Sequence, residues 1–211
     1  MLLPFLKNSW TCYGNDPSKS FVEYGRNKLG LPIDCLQSED MKLKKNSLDL
    51  IIIMGSLEHV YDVNVVLKKC SNAIITVGQI KNLFLRASLF NQLISLGFNL
   101  AIIISPQSYI SKKAKVNNGS IVMHKAVVNS YAEIGSNCII NSSSLIEHGV
   151  KVGNHTHVST GAILNGDCKV GNNSFIGSGT IVKEGVKIGN RCIIGMGQII
   201  KKNIKDNQIV K

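Results

Sequence analysis

One run of the sequence, residues 141–166, concentrates the groups able to handle a proton: NSSSLIEHGVKVGNHTHVSTGAILNG. It holds Asn141, Glu147, His148, His155 and His157, and it ends on Gly166. A neutral imidazole titrates near working pH and can take a proton from an amine or hydroxyl nucleophile. A backbone N–H at a glycine can come close to a developing oxyanion and needs no charged side chain. His148 and His157 read as falling on consecutive coils of a repeat, and His124 and His155 as solvated surface residues. The six cysteines form no CxxC pair. Cys138, Cys168 and Cys192 read as packing, and Cys12, Cys35 and Cys70 complete no zinc or disulfide framework.

What must position these groups is a repeat. From Ile110 to Ile200 every sixth residue is Ile, Val or Leu, as at Val128, Ile134, Ile140, Ile146, Val152 and Val158. Two residues before each stop lies a small or slim side chain, such as Ala126, Cys138, Ser144 or Thr156, with Val150, Val186 and Gln198 as exceptions. A period of six fits neither an amphipathic helix nor a hairpin array. It fits a chain coiling around a triangular prism, one hexad per side, with the aliphatic inside. Glycine or asparagine after the aliphatic, as at Gly135, Gly153 and Gly171, is expected to supply the positive φ of a tight corner. No coil could stand alone, but stacked coils share one core.

A chain of 211 residues bounds the answer to one or two domains. The net charge of +11 points to an anionic partner such as a nucleotide diphosphate or the phosphates of coenzyme A. No basic stripe interleaves with aromatics, which argues against nucleic acid. The N-terminal apolar run is too short for a signal peptide and no run is long enough for a membrane span, so a cytoplasmic protein is expected.

Residues 1–105 alternate short apolar runs with helical stretches. Strands are expected at Thr11–Asn15, Ile33–Leu36, Leu48–Met54, Ala73–Val77 and Leu100–Ile104. Helices are expected after Pro17 up to Gly30, over Val60–Cys70, and over Leu83–Leu96. This alternation argues for a parallel, Rossmann-like α/β layer.

The repeat resembles that of the hexapeptide-repeat acyltransferases, which implies a left-handed parallel β-helix from about residue 107. AIITVG and LRASLFNQLISLGFNLAIIISPQSYIS, running into the repeat, resemble the late part of the N-terminal domain of bacterial sugar acetyltransferases. Those are the sialic-acid O-acetyltransferase and bacillosamine-type aminosugar N-acetyltransferase family. The resemblance implies acetyl transfer from acetyl-CoA to an amino or hydroxyl group of a nucleotide-activated sugar, in a homotrimer. By motif, His148 would be the general base, His157 would contact the acetyl or coenzyme end, and the Gly166 amide would polarise the acetyl carbonyl. Asn141 and Glu147 would lie near the acceptor, and Gly177 and Gly195 would leave a smooth wall for the pantetheine arm. No metal is implied, since the histidine spacing of the β-helical carbonic anhydrases is not matched.

The departures are as informative. The family places an acid directly after the base, where this chain has Gly149, and it continues past the NQIV strand into a closing segment. The early Gly-rich turn of its nucleotide-binding domain is not found. Residues 12–70 instead resemble the middle of a class I S-adenosylmethionine-dependent methyltransferase, with Asp16 at the ribose-binding acid. That family's glycine-rich cofactor loop is missing, so S-adenosylmethionine is not expected to bind. The first half is therefore read as a composite of two domain fragments. The alternative to an enzyme is a non-catalytic trimeric β-helix scaffold left by gene fusion.

Overall fold

The computed structural model describes residues 14–15, 18–30, 33–35, 72–79 and 83–211. The chain divides into two compact units, Met1–Ser71 and Asn72–Lys211.

In the first unit, helix α1 (Lys19–Leu29) connects the short parallel strands Gly14–Asn15 and Ile33–Asp34. Gly30 ends the helix at φ 60, where its N–H returns to Gly25 and Arg26 carbonyls. Val22 is buried, and Gly25 lets the helix sit against Ile33: a Cβ there would lie 2.6 Å from Ile33 Cδ1. This is one β–α–β unit. The expected strand over 48–54 and helix over 60–70 lie outside the described residues.

The second unit opens with another β–α–β unit. Strand Asn72–Ala73 pairs in parallel with Asn99–Leu100, and helix α2 (Leu85–Ser95) lies between them. The expected strand over Ala73–Val77 is shorter than read, because residues 74–79 run without a sheet partner. The run expected over Leu100–Ile104 is broken: Asn99–Leu100 pairs with the small sheet, and Ile103–Ile104 pairs with Ile121–Val122 of the repeat.

From Ile103 the chain is a left-handed parallel β-helix of about six turns. Partners along each ladder stand 18 residues apart, three hexads to a coil, except at the last turn, where Ile193 pairs with Ile209 and Ile188 with Ile204. Each two-residue strand sends its first side chain out and its second in. The inward set is the sixfold aliphatic series, with Ile134, Ile140, Ile146, Val158, Leu164 and Ile176 all at 0% exposure. Each contributes about 1.5–3 kcal/mol before chain entropy is subtracted. The small slots (Ala126, Cys138, Thr156, Ala162) are sealed at the corners.

The outward sets distinguish three faces. The lysine face carries Lys115, Glu133, Lys151, Lys169 and Lys187. The histidine face carries Ile121, Ile139, His157, Phe175 and Ile193. The aliphatic face carries Tyr109, Val127, Leu145, Ile163, Ile181 and Ile199.

The corners correct one expectation. Positive φ falls three residues after each aliphatic, at Lys125, Tyr131, Asn137, Ser143, Gly149, His155, Gly161 and Asp167. The glycines directly after the aliphatic serve close approach instead. At the corner between lysine and histidine faces the Ser136, Asn154, Asn172 and Asn190 N–H groups donate to the Oδ1 atoms of Asn154, Asn172, Asn190 and Asp206, at 2.7–2.9 Å. Beneath this side-chain ladder, a Cβ at Gly153 would lie 2.7 Å from the Asn172 N and Oδ1.

Gly153 has ordinary φ but a crowded surrounding, whereas Gly161 has φ +64 and nothing within 4 Å of an added Cβ. Gly161→Ala therefore costs only the left-handed penalty of about 1–2 kcal/mol. Gly153→Ala pushes backbone apart and costs about 3 kcal/mol. Thermal unfolding should rank Gly153→Ala below Gly161→Ala; the reverse order would contradict the close-packing role.

Candidate active site

His148 stands exposed at the corner between the aliphatic and lysine faces. Its ring lies over Gly166, one coil further on: a Cβ at Gly166 would be 2.6 Å from His148 Cε1 and 2.7 Å from Nε2. Only glycine leaves the ring this seat. The Gly166 carbonyl accepts from Gly185 N–H, but its own N–H finds no acceptor among the described residues. Behind the ring, Glu147 Oε2 accepts from Asn129 Nδ2 at 3.0 Å and from the His148 N–H at 3.3 Å. Glu147 thus braces the backbone at the histidine.

An acid after the base would have to displace the Asp167 side chain and accept a positive φ. Gly149 has φ +67, and a Cβ on it would lie 2.1 Å from Asp167 Oδ1. Asp167, itself at φ 58 with its N–H on the His148 carbonyl at 2.9 Å, fills that space from the next coil. Sequence reasoning missed Asp167 because it is 18 residues downstream of Gly149; the coil length was the available signal.

His157 lies elsewhere. Nine residues from His148 is half a coil, so the two rings leave the prism on different sides, not from consecutive coils at one place. His157 is 6% exposed on the histidine face. Its Nδ1 donates to the Gln79 carbonyl at 2.8 Å, so its Nε2 accepts from Asn141 Nδ2 at 3.3 Å. Phe175 packs edge-on against the ring, centroids 5.2 Å apart. Burial holds the imidazole below its usual titration range, the Gln79 carbonyl opposes this, and the Arg86 charge adds to it. The ring is therefore neutral, with its proton on Nδ1.

Asn141, Gly177 and Gly195 lie in one row along the corner between histidine and aliphatic faces. A Cβ at Gly177 would come within 2.5 Å of Gly195 backbone, and one at Gly195 within 3.1 Å of Val210 O. The structure so gathers Asn141, His157, Gly177 and Gly195 on one edge of the aliphatic face, and Glu147, His148 and Gly166 on the other.

His155 is not a solvated surface residue. It is half-buried, meets Phe90 of α2 edge-on at 5.2 Å, and accepts from Asn137 Nδ2 at 2.9 Å. Gln79 Nε2 donates to its carbonyl at 2.8 Å. Arg86 of α2, 0% exposed, donates to the carbonyls of Ile75, Val77, Gly119 and Asn137 at 2.6–3.3 Å. Burial lowers its pKa to about 10. Residues 72–79 and 83–95 are thus bolted to the histidine face and the corner before it by groups that no sequence motif announced.

Comparison with known proteins bears on this architecture. The family profiles "Bacterial transferase hexapeptide (six repeats)" and "Hexapeptide repeat of succinyl-transferase" match residues 167–197 and 131–165. The profile "Methyltransferase domain" matches residues 1–80. No curated protein matched the chain in sequence. Among solved structures, PerB from Caulobacter crescentus, in complex with CoA and GDP-perosamine, is 22% identical with a TM-score of 0.67, covering 93% of this chain and 91% of that one. The acetyltransferase domain of PglB from Neisseria gonorrhoeae, in complex with acetyl coenzyme A, is 23% identical with a TM-score of 0.66, covering 93% of each chain. WeeI from Acinetobacter baumannii is 18% identical with a TM-score of 0.54, covering 94% and 95%.

Buried His157 and half-buried His155 make stability pH-dependent. Unfolded, each takes a proton near pH 6.5; folded, His155 and His157 take one only at lower pH. Their contribution is complete above pH 6.5 and is lost as the pH falls from there through the folded values. Thermal melts between about pH 7 and about pH 5 should show this loss, and His157→Asn, which keeps a donor towards Gln79, should flatten it. A curve equally steep in the variant would remove His157 as its source. The chain carries the hexapeptide-repeat β-helix, in the form seen in the structures of PerB and the PglB acetyltransferase domain.

Proposed function

We propose that this protein transfers acetyl from acetyl-CoA to an amino or hydroxyl group of a nucleotide-activated sugar, in the cytoplasm. The observation that carries the reading is the pairing at the exposed corner: a free imidazole seated over Gly166, whose N–H has no acceptor among the described residues. A base and an unengaged N–H donor side by side are what attack on a thioester needs. His148 takes the proton from the sugar amine or hydroxyl as its N or O bonds to the thioester carbon. The Gly166 N–H stabilises the oxyanion. The C–S bond then breaks, and the departing thiolate takes the proton from the imidazolium. His157, neutral and held by Gln79, serves the coenzyme side with Gly177 and Gly195, and Asn141 and Glu147 serve the acceptor side. The nucleotide sugar and CoA in the PerB complex support this substrate pair.

The two residue groups face each other only across two chains. Between them runs the aliphatic face, with Tyr109, Ile181 and Ile199 exposed. A second copy packed there brings the His157 edge of one chain to the His148 edge of the next, a head-to-tail contact that forms a ring when its rotation closes. A homotrimer follows from the family resemblance, and sedimentation should show it; a monomer at micromolar concentration would leave each site half built.

Release of free CoA across a panel of UDP- and GDP-linked aminosugars tests the activity. On the substrate found, His148→Ala should lower kcat by about 10²–10⁴-fold at unchanged acetyl-CoA affinity. Gly166→Ala should also lower kcat, by displacing the ring, without lowering Tm. Full turnover in His148→Ala would end the mechanism. No CoA release and no acetyl-CoA binding would favour a non-catalytic scaffold.

A further inference from the structure

The corner beside the lysine face holds a groove that the proposed reaction does not use. Its volume is about 350 Å³. The floor is the row Gly135, Gly153, Gly171 and Gly189, where no side chain fits beneath the amide ladder. One wall is Glu133, Lys151 and Lys169, with Lys187 next in register beyond it, and the other is Asn172 and Asn190, with Asn154 preceding them in the same ladder.

Both walls present unused groups. Lys151 pairs with Glu133 at 3.4 Å, but Lys169 and Lys187 have no carboxylate partner among the described residues. They stand in direct register with Lys151, like charge on like charge, which destabilises neighbouring strands. On the other wall, Asn154 and Asn172 use Oδ1 in the ladder, while their exposed Nδ2 groups donate to nothing among the described residues.

The repetition selects the ligand. The coils of Lys151 and Lys169 each offer one cation, one bare glycine and one amide, and the coil of Lys187 a cation and a glycine, at the strand spacing of about 4.8 Å; Glu133 closes the row at one end. A small anion would find several equivalent positions and no register, whereas a polymer engages successive coils together. No aromatic side chain projects from the lysine face or the glycine row, so base stacking has no platform there. A flat anionic membrane would touch the lysine tips and leave the amides unused. A second copy packed here about a two-fold axis would bring lysines against lysines.

We propose that this groove binds an acidic polysaccharide, lysines 151, 169 and 187 pairing with its carboxylates and the Asn154 and Asn172 amides with its hydroxyls. The site is separate from the His148 corner and stands whether or not acetyl transfer is established.

Titration calorimetry with polygalacturonate oligomers on the full chain tests this, with neutral dextrin, polyphosphate, a single-stranded oligonucleotide and anionic vesicles as comparison probes. Polygalacturonate should bind at low salt, more tightly than every other probe, and weaken as salt screens the lysines. The triple variant Lys151→Gln, Lys169→Gln, Lys187→Gln should weaken it about tenfold or more. Asn172→Asp should weaken it too at unchanged Tm, because aspartate keeps the ladder acceptor, as Asp206 does, and loses the donor. Equal or tighter binding of any comparison probe would overturn the assignment. So would unchanged affinity in either variant, or no binding of polygalacturonate.

Discussion

The β-helix depends on one distance, the separation of about 4.8 Å between adjacent parallel strands. Every residue must tolerate its counterpart 18 positions away at that distance. Aliphatics stacked on aliphatics satisfy the requirement inside, and asparagine on asparagine satisfies it at one corner through the Oδ1-to-N–H ladder. Where backbone of the next coil comes closest, only glycine satisfies it. The same rule puts the His148 ring over Gly166 and Asp167 over Gly149.

Much of this was legible in the sequence, because the interior is a local property repeated many times. The sixfold aliphatics and small slots read correctly from spacing alone, as did α1 with its Gly30 stop. The corner glycines were misread. Gly135 and Gly153 sit where a short-range rule allows either positive φ or close approach, and only the neighbouring coil decides between them. His155 was misread for a related cause: the Phe90 that covers it is far away in the chain. Gln79 and Arg86 gave no signal, since a lone glutamine or arginine acquires meaning only from the carbonyls it meets.

The candidate site shows the same limit. The histidines were identifiable by type, but their relation was not. A nine-residue interval looks like proximity in a list and is half a revolution in a prism. The groups on each edge are well formed: one contains an exposed ring on glycine, the other a ring locked by a carbonyl and an amide. What divides them is an apolar surface.

The buried Arg86 carries a consequence for how the chain is made. Its guanidinium needs the carbonyls of Gly119 and Asn137 as well as those of Ile75 and Val77. On a ribosome adding about 5–20 residues per second, Gly119 and Asn137 emerge seconds after Arg86 does. Until the second revolution of the prism has been synthesised and stacked, the arginine keeps its charge in water and α2 has no dock. The earlier segment must wait for the later one, so this unit matures backwards, from the coil towards its own beginning.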